Sequence, residues 1–345
     1  MRKQHVALVY NAYPISAPDS PDDRSSMEEL KKMMRRMARV LRRAGYDVTL
    51  VPLANDMLAF QRRLRRLRPD VVFNQYDDVV HGALFEMRVA ALVQMMGFPI
   101  TGSPALALGL GRYKFMAAGI LQGAGVPVPP NTQLIERIGD IDRCRWHFPV
   151  IVQPGQEHAG IGLDRDSVVY TKKDLKSRVR KILTDYSQPA LVQKFLPGRE
   201  FNVGLLGGHK LQVLPLAEVD YSKLPNGIPP IMSYAAKWLD DSVEYRKTSV
   251  ICPAEVEPRL AKEISAIALR AFRALGGWGY GRVDIRLDEN GDPRVLDVNC
   301  NCSLEEDVAL ARTAKLAGFD YPRLLQKIVK TALEGPPFDV GMPMF

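Results

Sequence analysis

Over the first hundred residues, short apolar and β-branched runs alternate with segments of helical periodicity. HVALVY, YDVTLVPL, DVVFNQ and FPIT read as strands, and residues 26–44, 55–68 and 83–97 read as helices. This repetition predicts a parallel α/β sheet. In the first helix Met27, Leu30, Met33, Met34, Met37, Val40 and Leu41 recur at helical spacing, which places Lys32, Arg35, Arg36, Arg39, Arg42 and Arg43 on the opposite face. Ser26, with Glu29 three residues on, reads as a capping box opening that helix. The Pro- and Asp-rich stretch from Pro14 to Asp23 reads as a loop at the carboxyl end of the first strand, the edge at which such sheets bind ligands.

The pattern changes after Gly102. TGSPALALGLGRYKFMAAGILQGAGVPVPPN gives two short helices ended by Gly123 and Gly125 and closed by prolines. PVIVQP, SVVYT, ALVQKFL and EFNVGLLG then read as strands around a helix at 172–184, an α+β pattern. Further strands, a helix at 257–275, a hairpin and a final helical stretch complete the chain.

The hairpin carries the first chemistry. GRVDIRLDENGDPRVLDVN sets Asn290-Gly291 between two alternating runs, and a two-residue turn there fixes the register. Asp284 then faces Asp297, Arg282 faces Asn299, Val283 faces Val298 and Ile285 faces Leu296. The apolar four share the core face, and Arg282, Asp284, Asp297 and Asn299 share the other. Two carboxylates directly opposite each other repel unless a cation bridges them. Mg²⁺, which takes oxygen ligands and keeps sites open for nucleotide phosphates, suits Asp284, Asp297 and the Asn299 carbonyl oxygen, and Mn²⁺ accepts similar donors. A solvated polar hairpin face with slipped register is the alternative.

Two further segments suggest nucleotide chemistry. FPVIVQPGQEHAGIGL runs from a strand into a loop where Gly155, Gly160 and Gly162 permit close backbone approach to phosphates; an ordinary strand and turn is the alternative. ALVQKFLPGREFNVGLLG is an apolar strand broken at Pro197-Gly198, as a hinge between two lobes requires. Backbone groups from Lys194 to Leu196 suit an adenine edge, and Glu200 suits ribose hydroxyls, with a structural turn as the competing reading.

Composition narrows the classes. With 345 residues, 46% of them hydrophobic, the chain can bury cores for about two or three domains. Glu86 and Arg88 interrupt one of the longest apolar stretches, leaving none of the roughly 20 residues needed to cross a bilayer. The net charge of +8 is explained by solvated helix faces, and no aromatic residues interleave the arginines as a surface for stacking nucleic-acid bases requires. Cys144, Cys252, Cys300 and Cys302 include no CxxC pair, which fits free thiols in a reducing compartment. MRKQHVALVYN reads as mature protein rather than as a signal peptide, and the expected location is cytoplasmic.

Taken in order, GFPITGSP, GRYKFMAAGILQGAGVPVPP, FPVIVQPGQEHAGIG, LVQKFLPGRE, YAAKWL, CPA, GRVDIRL and LDVNCN resemble the D-alanine–D-alanine ligase branch of the ATP-grasp superfamily. The resemblance implies α/β and α+β architecture, a three-domain ATP-grasp fold whose N-terminal domain is a Rossmann-like parallel sheet. The expected divisions are 1–102, a central lobe at 103–200, a catalytic lobe at 201–335 and a tail at 336–345. ATP and Mg²⁺ are the implied cofactors. Lys114 and Lys237 take the phosphate-binding lysine positions, Gln153 takes a further nucleotide-contacting position, Glu157 is cofactor-binding, Gln193, Lys194 and Leu196 take the adenine hinge, and Glu200 takes the ribose position. Asp284, Asp297 and Asn299 match the metal ligands. Arg282, with a loop NH near Ser303, matches the group that stabilises an acyl-phosphate and tetrahedral oxyanion.

The implied activity is ATP-dependent joining of a carboxylate to an amine through an acyl-phosphate. Some positions depart from the family pattern. Gln153 replaces a lysine, Gln193 replaces a glutamate, CNCSLEED replaces a loop rich in proline and glycine, and NAYPISAPDSPDD replaces a glycine-rich substrate segment. The last two face substrate, so an amino-acid or small-metabolite substrate other than D-alanine is expected. Small-molecule carboxylates and amines are the expected partners, with no membrane and no nucleic acid, and assembly into a homodimer is left open. A catalytically silent ATP-binding homologue is the alternative.

Overall fold

The computed structural model describes residues 2–12, 21–54, 56–77, 84–157 and 160–336, with the side chains of 21–27 and 29 outside the description. Part of the NAYPISAPDSPDD segment, His158 and Ala159 in the glycine loop, and most of the expected tail therefore lie outside the described residues.

The chain opens with β1 (His5–Asn11), α1 (Pro21–Arg43), β2 (Asp47–Leu53), α2 (Met57–Leu67), β3 (Val71–Gln75) and α3 (Phe85–Met95). The three strands pair in parallel in the order β2-β1-β3, as the alternating pattern predicts. Met34, Met37 and Leu41 of α1 are buried against one face of this sheet, leaving Arg35, Arg36, Arg39, Arg42 and Arg43 exposed. α1 starts at Pro21, so Ser26 lies inside the helix and the expected capping box does not open it. Proline is well tolerated in a first helical turn, where its missing N–H has no partner to lose. FPIT contributes only the bridge between Val72 and Ile100 rather than a full strand.

Next come α4 (Ala105–Arg112) and α5 (Lys114–Gly123), the two short helices of the glycine- and proline-bounded segment. β4 (Gln133–Ile135), β5 (Val150–Pro154), β6 (Val168–Val169), α6 (Lys172–Asp185) and β7 (Ala190–Lys194) then build a second sheet, ordered β4-β7-β5-β6. Only two residues of SVVYT pair as strand. α6 packs Leu175, Val179 and Ile182 beneath this sheet in a core of its own.

The remaining elements are β8 (Glu200–Gly207), β9 (Gln212–Val213), β10 (Ala217–Asp220), α7 (Tyr234–Trp238), α8 (Val243–Lys247), β11 (Ser249–Ile251), α9 (Pro258–Ala274), β12 (Gly279–Leu287), β13 (Pro293–Asn299), α10 (Ala309–Leu316) and α11 (Tyr321–Glu334). Among the described residues the third sheet runs β11-β10-β8-β12-β13, with β9 beside β8. One continuous core joins its Phe201, Val203, Val283 and Ile285 through α9, α4 and α5 to Val9, Val51 and Val72 of the first sheet. Burying each such side chain contributes about 1.5–3 kcal/mol, so the first and third sheets are locked together. The second sheet meets the third through a small cluster, Val168, Phe195 and Ile231, beside the break between β7 and β8. No helix among the described residues is long and apolar enough to cross a membrane.

The hairpin register is partly as expected. Arg282, Val283 and Asp284 face Asn299, Val298 and Asp297. The turn is longer than two residues. Asp288 accepts from the amides of Asn290 at 2.9 Å and Asp292 at 3.0 Å, and Leu287 faces Pro293. An aspartate bonding its own downstream backbone competes with a tight Asn-Gly turn. A bulge at Leu296 then restores the register, so Ile285 faces Val295 instead, and Leu296 is only half-buried. The extra residue is accommodated because the Val295 amide turns to the Pro127 carbonyl at 2.9 Å.

A buried polar seam crosses between the first and third sheets. Asn301, just past β13, donates from Nδ2 to Glu86 at 2.6 Å and to the Tyr76 carbonyl at 3.0 Å, and accepts from the Tyr280 hydroxyl at 2.7 Å. Glu86 in turn accepts from Arg112 Nε at 3.0 Å. Burial pushes the Glu86 carboxyl up from 4.5 to about 7, against the opposing pull of Arg112. The folded chain therefore keeps a proton that the unfolded chain releases. That contribution to stability is complete below about pH 4.5 and is lost as pH rises through about 7. We expect the thermal midpoint of the wild type to fall more steeply across this window than that of Glu86→Gln. Parallel curves would show that Glu86 does not carry the linkage.

Candidate active site

Strand alternation builds the site on the face of the third sheet turned away from α9. On β12 that face carries Arg282, Asp284 and Arg286; on β8, Glu200, Asn202 and Gly204 stand opposite them; on β13, Asp297 and Asn299. The two carboxylates share the face, as the hairpin alternation requires, and cationic groups surround them. Arg282 forks onto Asp284 with Nε to Oδ1 at 2.7 Å and Nη2 to Oδ2 at 2.9 Å. Asn202 Nδ2 donates to the same Oδ1 at 2.9 Å. Lys114, the first residue of α5, reaches Asp297 Oδ1 at 3.4 Å. Lys237, near the end of α7, is held below the ordinary lysine range by burial and by Arg282, while Asp284, Asp297 and Glu200 pull the other way.

The structure thus gathers Lys114, Lys237, Glu200, Arg282, Asp284 and Asp297 into one electrostatic neighbourhood. Asn299 closes the group, its Oδ1 accepting the Asn301 amide at 3.0 Å. The donor set has two carboxylates and an amide, all oxygen, with no histidine or cysteine; among the described residues no cluster of three or more His, Cys, Asp or Glu forms a complete metal cage. That composition fits Mg²⁺, which commonly binds one or two carboxylates and leaves its remaining positions to water and phosphate. Carboxylate and amide oxygens carry more than one lone pair, so the hydrogen bonds already made do not exhaust them.

Glu200 sits deeper. It accepts from the Tyr221 hydroxyl at 2.9 Å and from Arg286 Nη1 at 3.1 Å, and burial pushes its carboxyl up against the pull of Arg286. The Arg286 guanidinium lies 5.2 Å from the centre of the Phe195 ring and 5.5 Å from that of Tyr221. Its Nη2, buried without a hydrogen-bond partner among the described residues, is compensated by these ring faces. Phe195 belongs to the link between β7 and β8, so that link and Glu200 are physically connected.

Along that link the Lys194 amide donates to the Pro130 carbonyl at 3.2 Å and the Phe195 amide to the Pro149 carbonyl at 3.1 Å. Among the described residues no backbone carbonyl accepts from the Leu196 amide. The Lys194 side chain is directed to the Phe148 carbonyl at 3.4 Å, on the α6 side of the second sheet, so its ammonium does not join the carboxylate group. Gln153 and Gln193 lie on the opposite face, joined by an Nε2–Oε1 contact of 3.4 Å, and Gln193 also donates to Thr132 at 3.1 Å. The two departures from the family pattern are therefore neighbours.

The glycine loop reaches the third lobe at Gly160. At its φ of +81° a Cβ would lie 2.9 Å from backbone atoms of Ser233 and Tyr234, and the Tyr234 amide donates to Leu163 at 3.1 Å. Only glycine permits that approach without displacing backbone, and it seats the loop against the start of α7, the helix that carries Lys237. Glu157 is held by Gln188 at the outer end of β7, and no described contact joins it to the metal-type group. Ser303 is exposed, its Oγ accepting from the Glu305 amide at 3.3 Å. Burial pushes Cys300 and Cys302 up to about 12, so both thiols are neutral.

Sequence reading missed Asn202, Arg286, Tyr221 and Asn301. Arg286 was within reach, because the alternation that selects Arg282 and Asp284 selects it next. Asn202 was signalled by a lone amide inside the apolar strand EFNVGLLG. Tyr221 and Asn301 follow strand ends, where periodicity stops.

The family model described as the D-ala D-ala ligase C-terminus matches residues 120–330. An uncharacterized protein of Sinorhizobium fredii, y4sG, is 35% identical over 76% of this chain and 74% of its own length. The D-alanine–D-alanine ligase of Marinomonas sp. is 30% identical over 86% of this chain and 88% of its own. In fold, the chain is similar to the crystal structure of D-alanine–D-alanine ligase from Bacillus anthracis complexed with ATP, with a TM-score of 0.72, 19% identity and coverage of 96% and 98% of the two chains. With a family model over more than half its length and this site on an ATP-grasp fold, the chain belongs to the D-alanine–D-alanine ligase family.

Proposed function

We propose that this protein is an ATP- and Mg²⁺-dependent ligase that joins a carboxylate to an amine through an acyl-phosphate, acting on an amino acid or small metabolite other than D-alanine. The observation that carries the reading is the facing pair Asp284 and Asp297, with Asn299, surrounded by Lys114, Lys237 and Arg282. Asp284, Asp297 and Asn299 would hold Mg²⁺, which when bound neutralises phosphate charge. Lys114 and Lys237 bind phosphate oxygens. The Leu196 amide and Glu200 receive the adenine and ribose. Arg282, already a planar fork beside the site, stabilises the charge that builds as carboxylate attacks phosphorus and as amine then attacks the acyl carbon.

The alternative, a catalytically silent ATP binder, is favoured by the positive charge missing where Gln153 replaces a lysine. The active reading is supported by a paired change. Where the family resemblance implies a lysine at 153 and a glutamate at 193, this chain has two adjoining carboxamides, so a cation and an anion are replaced together and the local net charge is unchanged.

The direct test is a panel of amines, amino acids and small carboxylates scored by ATP-dependent phosphate release, with products identified by mass. We expect release only with a matched carboxylate and amine, yielding an amide, and near-complete loss in Asp297→Ala. ATP binding without turnover across a broad panel would favour the silent binder. Arg282→Lys should lower turnover by about 10²- to 10³-fold, the range for removing one oxyanion donor, with a smaller effect on ATP affinity. A near-normal rate would remove Arg282 from the chemistry. Gln153→Lys should tighten ADP binding by about fivefold in calorimetry, since a charge-assisted hydrogen bond exceeds a neutral one by ~1 kcal/mol. Unchanged affinity would place Gln153 outside phosphate reach.

A further inference from the structure

The buried seam through Asn301 ends at the candidate metal site. Its side chain is fully engaged as a donor: both Nδ2 hydrogens are used, on Glu86 at 2.6 Å and the Tyr76 carbonyl at 3.0 Å, and Oδ1 accepts from Tyr280 at 2.7 Å. Its main-chain amide donates to Asn299 Oδ1 at 3.0 Å. That bond holds the Asn299 carboxamide oxygen against the loop backbone and leaves a lone pair of Oδ1 open. Tyr280 is itself held by Gln75 Nε2 at 2.9 Å, so two residues of the first sheet layer and one of α3 grip the loop. Glu86 is anchored by Arg112, at the end of the helix preceding Lys114.

We infer that Asn301 is a positioning residue for the metal site, transmitting the geometry of the N-terminal layer to Asn299 through its contacts with Glu86 and Tyr76. This inference rests on the assignment of Asp284, Asp297 and Asn299 as metal ligands. Partners behind metal ligands orient them, and their loss typically lowers metal affinity about 10- to 100-fold. Chemistry makes the contact directional. At a pH alkaline enough to ionise Glu86, Asn301→Asp keeps shape and the Tyr280 bond but sets an oxygen against the Glu86 carboxylate and the Tyr76 carbonyl. Glu86→Gln, joined with Asn301→Asp, reverses donor and acceptor and restores the Glu86 contact.

The test titrates Mn²⁺ into each variant with ADP, following bound metal by electron paramagnetic resonance and folding by thermal midpoint. We expect Asn301→Asp to weaken Mn²⁺ about 10- to 100-fold, Glu86→Gln to weaken it less, and the double variant to recover part of the loss. Single variants within about twofold of wild type, or a double variant no better than Asn301→Asp, would overturn the inference. Should Asn301→Asp fail to fold, Glu86→Gln decides alone by the same criterion. Asp297→Ala separates the two levels: if it retains wild-type Mn²⁺ affinity, the metal assignment itself fails and the inference falls with it. If it loses Mn²⁺ while the Asn301 and Glu86 variants do not, only the inference fails.

Discussion

Two carboxylates facing each other on one sheet surface constrain everything around them. At the cross-strand spacing of about 5 Å and an effective dielectric of 20, their repulsion is ~3 kcal/mol, a large fraction of the stability of an ordinary domain. The third sheet offsets it with the Arg282 fork and the Asn202 amide on Asp284, and with Lys114 on Asp297. Each of these groups arrives from a different element, β12, β8 and α5. The requirement to hold them near one another explains why α5 packs on α9 and shares the core of the third sheet.

The same arrangement relates architecture to chemistry. The first and third sheets share one core, which gives the carboxylate face a rigid floor. The second sheet keeps a separate core and touches the third through the Phe195 cluster and the Gly160 approach. The backbone linking β7 to β8 lies at that junction, with Arg286 stacked on Phe195 and bonded to Glu200. Charge is thus concentrated where two lobes meet, and the polar groups that would be costly in isolation stabilise one another.

What was legible in the sequence was local. The alternation of β12 and β13 placed Asp284 opposite Asp297, and the Pro197-Gly198 break separated two sheets as expected. The register survived for a reason the sequence did not reveal: Asp288 lengthened the turn, and the bulge at Leu296 restored the pairing. Asn301 and Glu86 were not legible because they are 215 residues apart and meet only after three elements pack. Glu157 and Lys194 carried plausible chemistry, yet Gln188 and the Phe148 carbonyl hold their side chains away from the carboxylates. Residue type and order identified the family; side-chain direction required the fold.

Central to the proposed function is that Asp284, Asp297 and Asn299 form a divalent metal site used with nucleotide. Anomalous diffraction from crystals grown with Mn²⁺ and ADP tests this most directly. The expected result is a manganese peak held by Asp284, Asp297 and Asn299 beside the nucleotide phosphates. Bound ADP with manganese elsewhere, or with Arg282 still forked on Asp284 and no metal beside it, would contradict it.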